Sequence, residues 1–391
     1  MSRAMVRFGA WGMLALWAAA ANAQDVPGVT KDTITIGSFG ALTGPSYLYG
    51  KLVMNGVEAV FDKVNAEGGI HGRKLVLLRE DDRCEPAAAI AAAKKLIHQD
   101  KVFAINGGGC SNASIAAKDE VAQAGVPWLI FASVHDGLTN PVAPTIFSSA
   151  LSASIEGQAQ VEFAIKQNAK KVAIVSMRDS WGRSRYEPLV AYMKKKGLTA
   201  VADEELAPDA NDATPVVLRL KQAGADAIIL VLYPKPAAVF LRDSMKFGFK
   251  PLMIGQSAIG DPTAFEEQVG VPGATASFYT ISHVKYTPDS PEIAKWRDAI
   301  HAKYPSDRLS VFNILGIGSA QVLVAALKAT GPQLTREAFV KTLAGMKAIE
   351  TDVFGAPINC AVPDHRCNRA PAWMHKEPGG PIKIIAVTPV D

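Results

Sequence analysis

The chain has 391 residues and a formal charge of only +4, with 41 Lys and Arg against 37 Asp and Glu. That near-neutral balance, without a basic block interleaved with aromatics, gives no sign of a nucleic-acid partner. The length exceeds one ordinary core and predicts two domains.

Residues 1–23 read as a secretory signal peptide rather than as fold. Arg3 and Arg7 form a short basic start, Phe8 to Ala20 is apolar, and Ala21-Asn22-Ala23 before Gln24 fits a small-residue cleavage site. No cysteine sits at that point, so a lipid anchor is not expected, and no later segment reads as long and apolar enough to span a membrane. Losing Arg3 and Arg7 brings the charge still closer to zero.

From Thr33 the pattern alternates strand with helix. Strands are predicted at Thr33–Ser38, Leu75–Arg79, Val102–Ile105, Trp128–Phe131, Val172–Ser176, Ala227–Leu232 and Leu252–Ile254. Several are nearly unbroken apolar runs, as parallel strands covered on both faces require. Helices are predicted between them at Tyr49–Ala66, Pro86–His98, Asn112–Ala124, Ser154–Asn168, Gly182–Lys196, Pro215–Ala223 and Pro236–Phe247. In the first, Leu52, Val53, Gly56, Val57, Val60, Phe61 and Val64 form a core-facing stripe. Pro141 and Pro144 break the series at Asn140–Ser149, and a second series starts at Lys171. Two long helices follow, Pro291–Lys303 and Leu309–Ala329, before a Pro- and Gly-rich tail from Gly355. The fold class is therefore α/β, with doubly wound parallel sheets.

In an exported chain the four cysteines read as disulfides, Cys84–Cys110 and Cys360–Cys367. The alternative set Cys360, His365, Cys367 and His375 has zinc's ligand types, but its spacing matches no standard finger. No cofactor or metal is expected. Gly-x-Ser-x-Gly, a phosphate-loop lysine and His-Glu-x-x-His are all absent from the sequence, the other histidines (His71, His98, His135, His283, His301) are scattered, and Asp81-Asp82 at a strand end reads as structural. An enzyme is not predicted.

The stretch from Ile36-Gly37 to Gly44-Pro45, then Tyr49-Gly50, Asn65-Ala66-Glu67-Gly68-Gly69-Ile70-His71-Gly72-Arg73 and Asp81-Asp82-x-Cys84, resembles the periplasmic leucine/isoleucine/valine-binding protein family. Gly109-Cys110-Ser111, Ala173-Ile174-Val175 before Trp181-Gly182, and Leu241-Arg242 before Gly248 keep the family's order. These are type I solute-binding proteins of ATP-driven importers. The resemblance implies two lobes closing on a small ligand, joined by three crossings near Ile146–Ser149, Ser277–Ile281 and Ile349–Val353. The lobes would comprise residues 24–147 with 280–350, and 148–279 with 351–391. It implies a periplasmic monomer that passes its ligand to an inner-membrane permease with a cytoplasmic ATPase. An exported ligand-sensing module on the same fold is the alternative.

The resemblance also implies the contacts. Tyr49 would stand over the cleft, and the turn Gly109, Cys110 and Ser111 would receive a carboxylate at a helix start, where N–H groups favour anions. Ala132, Ser133 and Val134 would follow on the same lobe, with Ser133 or His135 replacing a family threonine at Val134. Trp181 and Tyr233 would line the second lobe, and Arg183 or Arg185 would reach the cleft. At Gly255-Gln256-Ser257 the family's ammonium-pairing glutamate is missing; Ser257 stands in its place beside Gln256. Glu266 and Glu267 read as surface positions. The departure turns the expectation from branched-chain amino acids to an aromatic or other apolar carboxylate, with the amino acids as the alternative.

Overall fold

The computed structural model describes residues 26–390, so the expected signal peptide lies outside the described residues. Five strands, β1 (Thr33–Gly40), β2 (Lys74–Asp81), β3 (Ala104–Gly107), β4 (Trp128–Ile130) and β5 (Ile146–Ser148), form one all-parallel sheet in the order β2-β1-β3-β4-β5. The second sheet contains β6 (Val172–Met177), β7 (Asp203–Leu206), β8 (Ala227–Val231), β9 (Leu252–Ile254) and β10 (Phe278–Ser282), extended by an antiparallel hairpin of β11 (Ala372–Lys376) and β12 (Ile382–Val387). Its order is β12-β11-β10-β9-β8-β6-β7. Each sheet is doubly wound. The order reverses between β1 and β3 in the first and between β6 and β8 in the second, and such switch points are where open α/β sheets hold ligands.

Helices α1 (Lys51–Ala66), α2 (Pro86–Lys94) and α3 (Ser111–Gln123) connect the strands of the first sheet. In the second, α4 (Ala153–Lys166) leads into β6, and α5 (Ser180–Lys195), α6 (Thr214–Gln222), α7 (Pro234–Lys246) and α8 (Pro262–Val269) follow. The chain then returns to the first core with α9 (Ala294–Lys303), α10 (Val311–Thr330) and α11 (Arg336–Gly345). Helix α10 is long and apolar enough to cross a membrane, contrary to the sequence reading, but 83% of its apolar window is buried inside the protein. It is a core helix packed along α1, and Ser310 with Asn313 caps its start.

The three crossings meet side by side. The first runs from Ser148 into α4, the second follows β10 through His283, and the third follows Arg366. Ser148 N–H donates to His365 O at 2.9 Å and Cys367 N–H to Ser148 O at 2.8 Å. Leu151 N–H donates to His283 Nδ1 at 3.1 Å, and Asn368 Nδ2 to His283 O at 3.3 Å. The third crossing therefore lies beyond Arg366, not at Ile349–Val353. Val353, Phe354, Ile358, Cys360 and Cys367, assigned by sequence to the second lobe, are buried in the first core, and β11 and β12 join the second sheet.

Both expected disulfides are present, with Cα separations of 5.3 Å for Cys84–Cys110 and 4.4 Å for Cys360–Cys367. The second takes both thiolates of the alternative zinc set. His365 stacks on Phe147, and His375 bonds Phe278 O at 2.9 Å.

Candidate functional site

Both switch points open onto one cleft. Tyr49 follows β1, Gly109–Ser111 follows β3, Trp181 follows β6 and Tyr233 follows β8. Together with Cys110, Ala132, Ser257, Arg185, Ala258, His283 and Phe312 these residues line a cavity of about 30 Å³ between the lobes. In this closed arrangement the space holds about a water or two, so a solute enters as the lobes part.

The first-lobe wall is set by two loops in backbone contact. Asp81 accepts from Leu42 N–H at 2.8 Å and from Thr43 Oγ1 at 2.6 Å, fixing the loop that leads to Tyr49. A Cβ on Gly109 would lie 2.2 Å from Tyr49 O, so only glycine lets the α3 turn approach so closely. Cys110 caps α3 without a side-chain bond, and its disulfide ties the turn to the end of β2. The N–H groups of Ser111, Asn112 and Ala113 have no protein acceptor among the described residues. A helix start with free N–H groups, facing the cavity beside the Ser111 hydroxyl, is an anion site.

The second-lobe wall is aromatic and cationic. Trp181 and Tyr233 stack with centroids 4.0 Å apart and planes 22° apart. Arg185 lies over the Trp181 ring, its guanidinium carbon 4.5 Å from the centroid, and pairs with the buried Glu156 through Nη1. Across the cleft Tyr49 donates from its hydroxyl to Ala258 O at 2.9 Å, and Ser310 Oγ to Asp261 at 2.7 Å, so the lobes are closed on each other. Burial pushes the phenols of Tyr49 and Tyr233 up, so both stay protonated. Among the described residues no Asp or Glu lines the cavity.

Four residues expected at the site stand elsewhere. Arg183 is two positions from Trp181 and points roughly 200° around the helix from it. It borders an open groove of about 1360 Å³ with Asp179, Glu187 and Asp203. Arg185, four residues on from Trp181, shares its face. Ser133 is fully buried and its carbonyl accepts from Arg366 at 3.3 Å. Val134 is 1% exposed and its carbonyl accepts from Ala153 N–H at 2.8 Å. Gln256 donates from Nε2 to Leu232 O at 2.9 Å and accepts from Ala258 N–H at 2.9 Å, so it shapes the turn that presents Ser257. Glu266 pairs with Lys376, and Glu267 with Arg308 at 2.9 Å. Sequence reasoning missed Ala258, His283 and Phe312; only His283 carried a signal, being two residues past the expected second crossing.

Burial, reinforced by Arg185 and Arg366, holds the His283 imidazole down at about 3. In the unfolded chain it titrates near its ordinary 6.5. Between those values the unfolded state binds more protons, so this group makes stability rise with pH, by up to about 1.4 kcal/mol per pH unit. Asp82, pushed up to about 6 by burial, acts in the opposite sense above its unfolded value of 3.8. We expect the stability difference between wild type and His283→Gln, from denaturant titrations at pH 4 to 7, to show the His283 slope with the Asp82 contribution cancelled. Parallel pH profiles would show that His283 is not held neutral.

A family model described as periplasmic binding protein matches residues 33–376. The Leu/Ile/Val-binding protein homolog 7 of Brucella abortus is 28% identical over 330 residues, 81% of each chain. In fold the chain is similar to the branched-chain amino acid substrate-binding protein LivJ from Streptococcus pneumoniae in complex with isoleucine, with a TM-score of 0.77, 24% identity, and coverage of 92% of this chain and 99% of that one. It is also similar to a solute-binding protein of an ABC transporter from R. palustris in complex with 4-hydroxybenzoate, with a TM-score of 0.77, 20% identity, and coverage of 92% and 97%.

Proposed function

The chain belongs to the periplasmic binding protein family, and from that premise we propose that it captures a small carboxylate with a flat apolar or aromatic body and delivers it to the permease of an ABC-type importer. The observation that carries the ligand class is the charge of the cavity wall. An α-amino acid brings an ammonium, and a desolvated ammonium without a carboxylate partner costs several kcal/mol. No described Asp or Glu lines the cavity, and the buried Glu156 is already engaged by Arg185. A carboxylate instead meets the free N–H groups of α3 and the Ser111 hydroxyl. The Trp181–Tyr233 stack offers a face to a flat body, and an aromatic pair adds about 0.5–1.5 kcal/mol beyond area burial. Relatives of this fold carry either ligand type, isoleucine in LivJ and 4-hydroxybenzoate in the R. palustris protein. Lobe closure then reports occupancy, because a ligand touching both walls binds the closed state better.

A melting screen with benzoate, 4-hydroxybenzoate and leucine tests the reading. A ligand at about 100 times its Kd stabilises by about 2.7 kcal/mol. The aromatic acids should raise Tm and leucine should not, and Ser111→Ala should weaken the acids about tenfold, the value of one hydrogen bond to a charged group. A rise with leucine alone overturns the ligand class.

A further inference from the structure

We propose that the ligand carries, besides its carboxylate, a second oxygen acceptor at the end facing the second lobe, received there by Arg185 and His283. The inference rests on the reading above and extends it from a monofunctional acid to a two-ended one. Its basis is a count of donors and acceptors on the wall opposite Ser111.

His283 Nδ1 accepts the Leu151 N–H at 3.1 Å. That bond fixes the tautomer: in the neutral ring the proton sits on Nε2. Nε2 has no protein partner among the described residues, and the ring, only 5% exposed, lines the cavity. Arg185 lines the same cavity and is 7% exposed. Arginine can only donate. It spends Nη1 on Glu156; Nε is sealed in the interior without an acceptor, and Nη2 is left without a protein partner among the described residues. Two groups, Arg185 through Nη2 and His283 through Nε2, therefore offer only donors to one space, and both donors are unmet. Neither donor is hydrogen-bonded to a hydroxyl of the cavity wall among the described residues, and that of Tyr49 is turned across the cleft to Ala258 O. Buried unmet donors are costly, and a site built of donors rejects an analogue that lacks the matching acceptor. An oxygen acceptor satisfies both groups: a phenol, a carbonyl or a second carboxylate. An ammonium or alkyl group satisfies neither. The Arg185–Glu156 pair is neutral as a whole, so the second oxygen need not be charged.

Calorimetry on the mature protein with benzoic acids substituted at the 3- or 4-position decides the matter. Methylbenzoates match the size of the second group without an acceptor; hydroxy-, formyl- and carboxybenzoates supply one. At least one oxygen-bearing acid should bind ten- to a hundredfold tighter than its methyl counterpart, the value of a hydrogen bond to a charged or buried donor. Arg185→Gln and His283→Phe should each weaken the oxygen-bearing acids more than the methylbenzoates, so that the ratio between the two falls several-fold. Equal affinity for methyl and oxygen-bearing acids overturns the second acceptor and leaves the carboxylate reading standing. Failure of every acid, with leucine binding instead, overturns both. If either variant does not fold, the wild-type series alone gives the answer.

Discussion

Gly316→Ala should destabilise the protein by about 3 kcal/mol and lower Tm by roughly 4 °C. A Cβ at Gly316 would lie 1.9 Å from Val53 O, and one at Gly56 would lie 2.0 Å from Asn313 O. Helices α1 and α10 thus touch backbone to backbone at two reciprocal glycines, and Asn313 adds a bond from Nδ2 to Leu52 O at 2.8 Å. The obstruction is main chain, so no rotamer change relieves it; the helices must separate inside the first core. Gly345 in α11 is the control, because a Cβ there meets no atom within 4 Å. Its alanine variant should melt like wild type. The Gly316 variant should also bind ligand more weakly where it still folds. Tyr49 stands two residues before α1, Phe312 lies in the first turn of α10, and their rings pack edge to face at 5.2 Å to form part of the cavity wall. A melting temperature within 2 °C of wild type would mean that the two helices separate at little cost and that this contact does not set the wall.

What the sequence made legible follows from what burial writes into it. β8 is apolar at every position because it is covered on both faces, and it was predicted within one residue of its structural end. Tyr49, Trp181 and Tyr233 are what the family resemblance implies, and in the structure each follows a strand at a switch point. The misses have equally physical causes. β7 is the polar run Asp203–Leu206 at a sheet edge, half-exposed, so it carries no strand signature. The third crossing was misplaced because the apolar residues Val353, Phe354 and Ile358 serve the first core, and no local pattern records which of two cores a segment joins. Arg183 and Arg185 stand as alternatives in the sequence although helical phase separates them: the 181, 185, 189 spacing marks one buried face, as the exposures confirm. Ser133, Val134 and Gln256 miss the cavity by a residue or so, an offset set by where each strand stops, which sequence bounds only loosely. Phe312 reaches the site from far along the chain, through a helix whose sequence says only that it is core.

Removing either partner of the Arg185–Glu156 pair should cost about 3–5 kcal/mol, because it strands a charge in the interior. Their side chains are 8% and 2% exposed. Glu156→Leu and Arg185→Met, measured singly by denaturant titration, should each show that loss. The double variant should recover most of it, since an apolar pair of similar volume often replaces a buried ion pair without penalty. The pair is an indifferent stabiliser on its own geometry: Glu156 Oε1 and Arg185 Nε are both buried without partners. A core selected for stability alone would fill this space with carbon. The double variant should therefore be nearly as stable as wild type and yet lose affinity for the oxygen-bearing acids, a separation of folding from binding that neither single variant offers. If the double variant is as unstable as the singles, the pair holds the second lobe together in its own right and its place at the cavity is incidental. If it is stable and binds normally, Arg185 does not touch the ligand. Stability recovered with binding lost is the result that makes this buried charge part of the recognition surface, and it assigns Glu156 a role no cavity-lining survey would give it: holding the guanidinium over the Trp181 ring, turned toward the space where the solute sits.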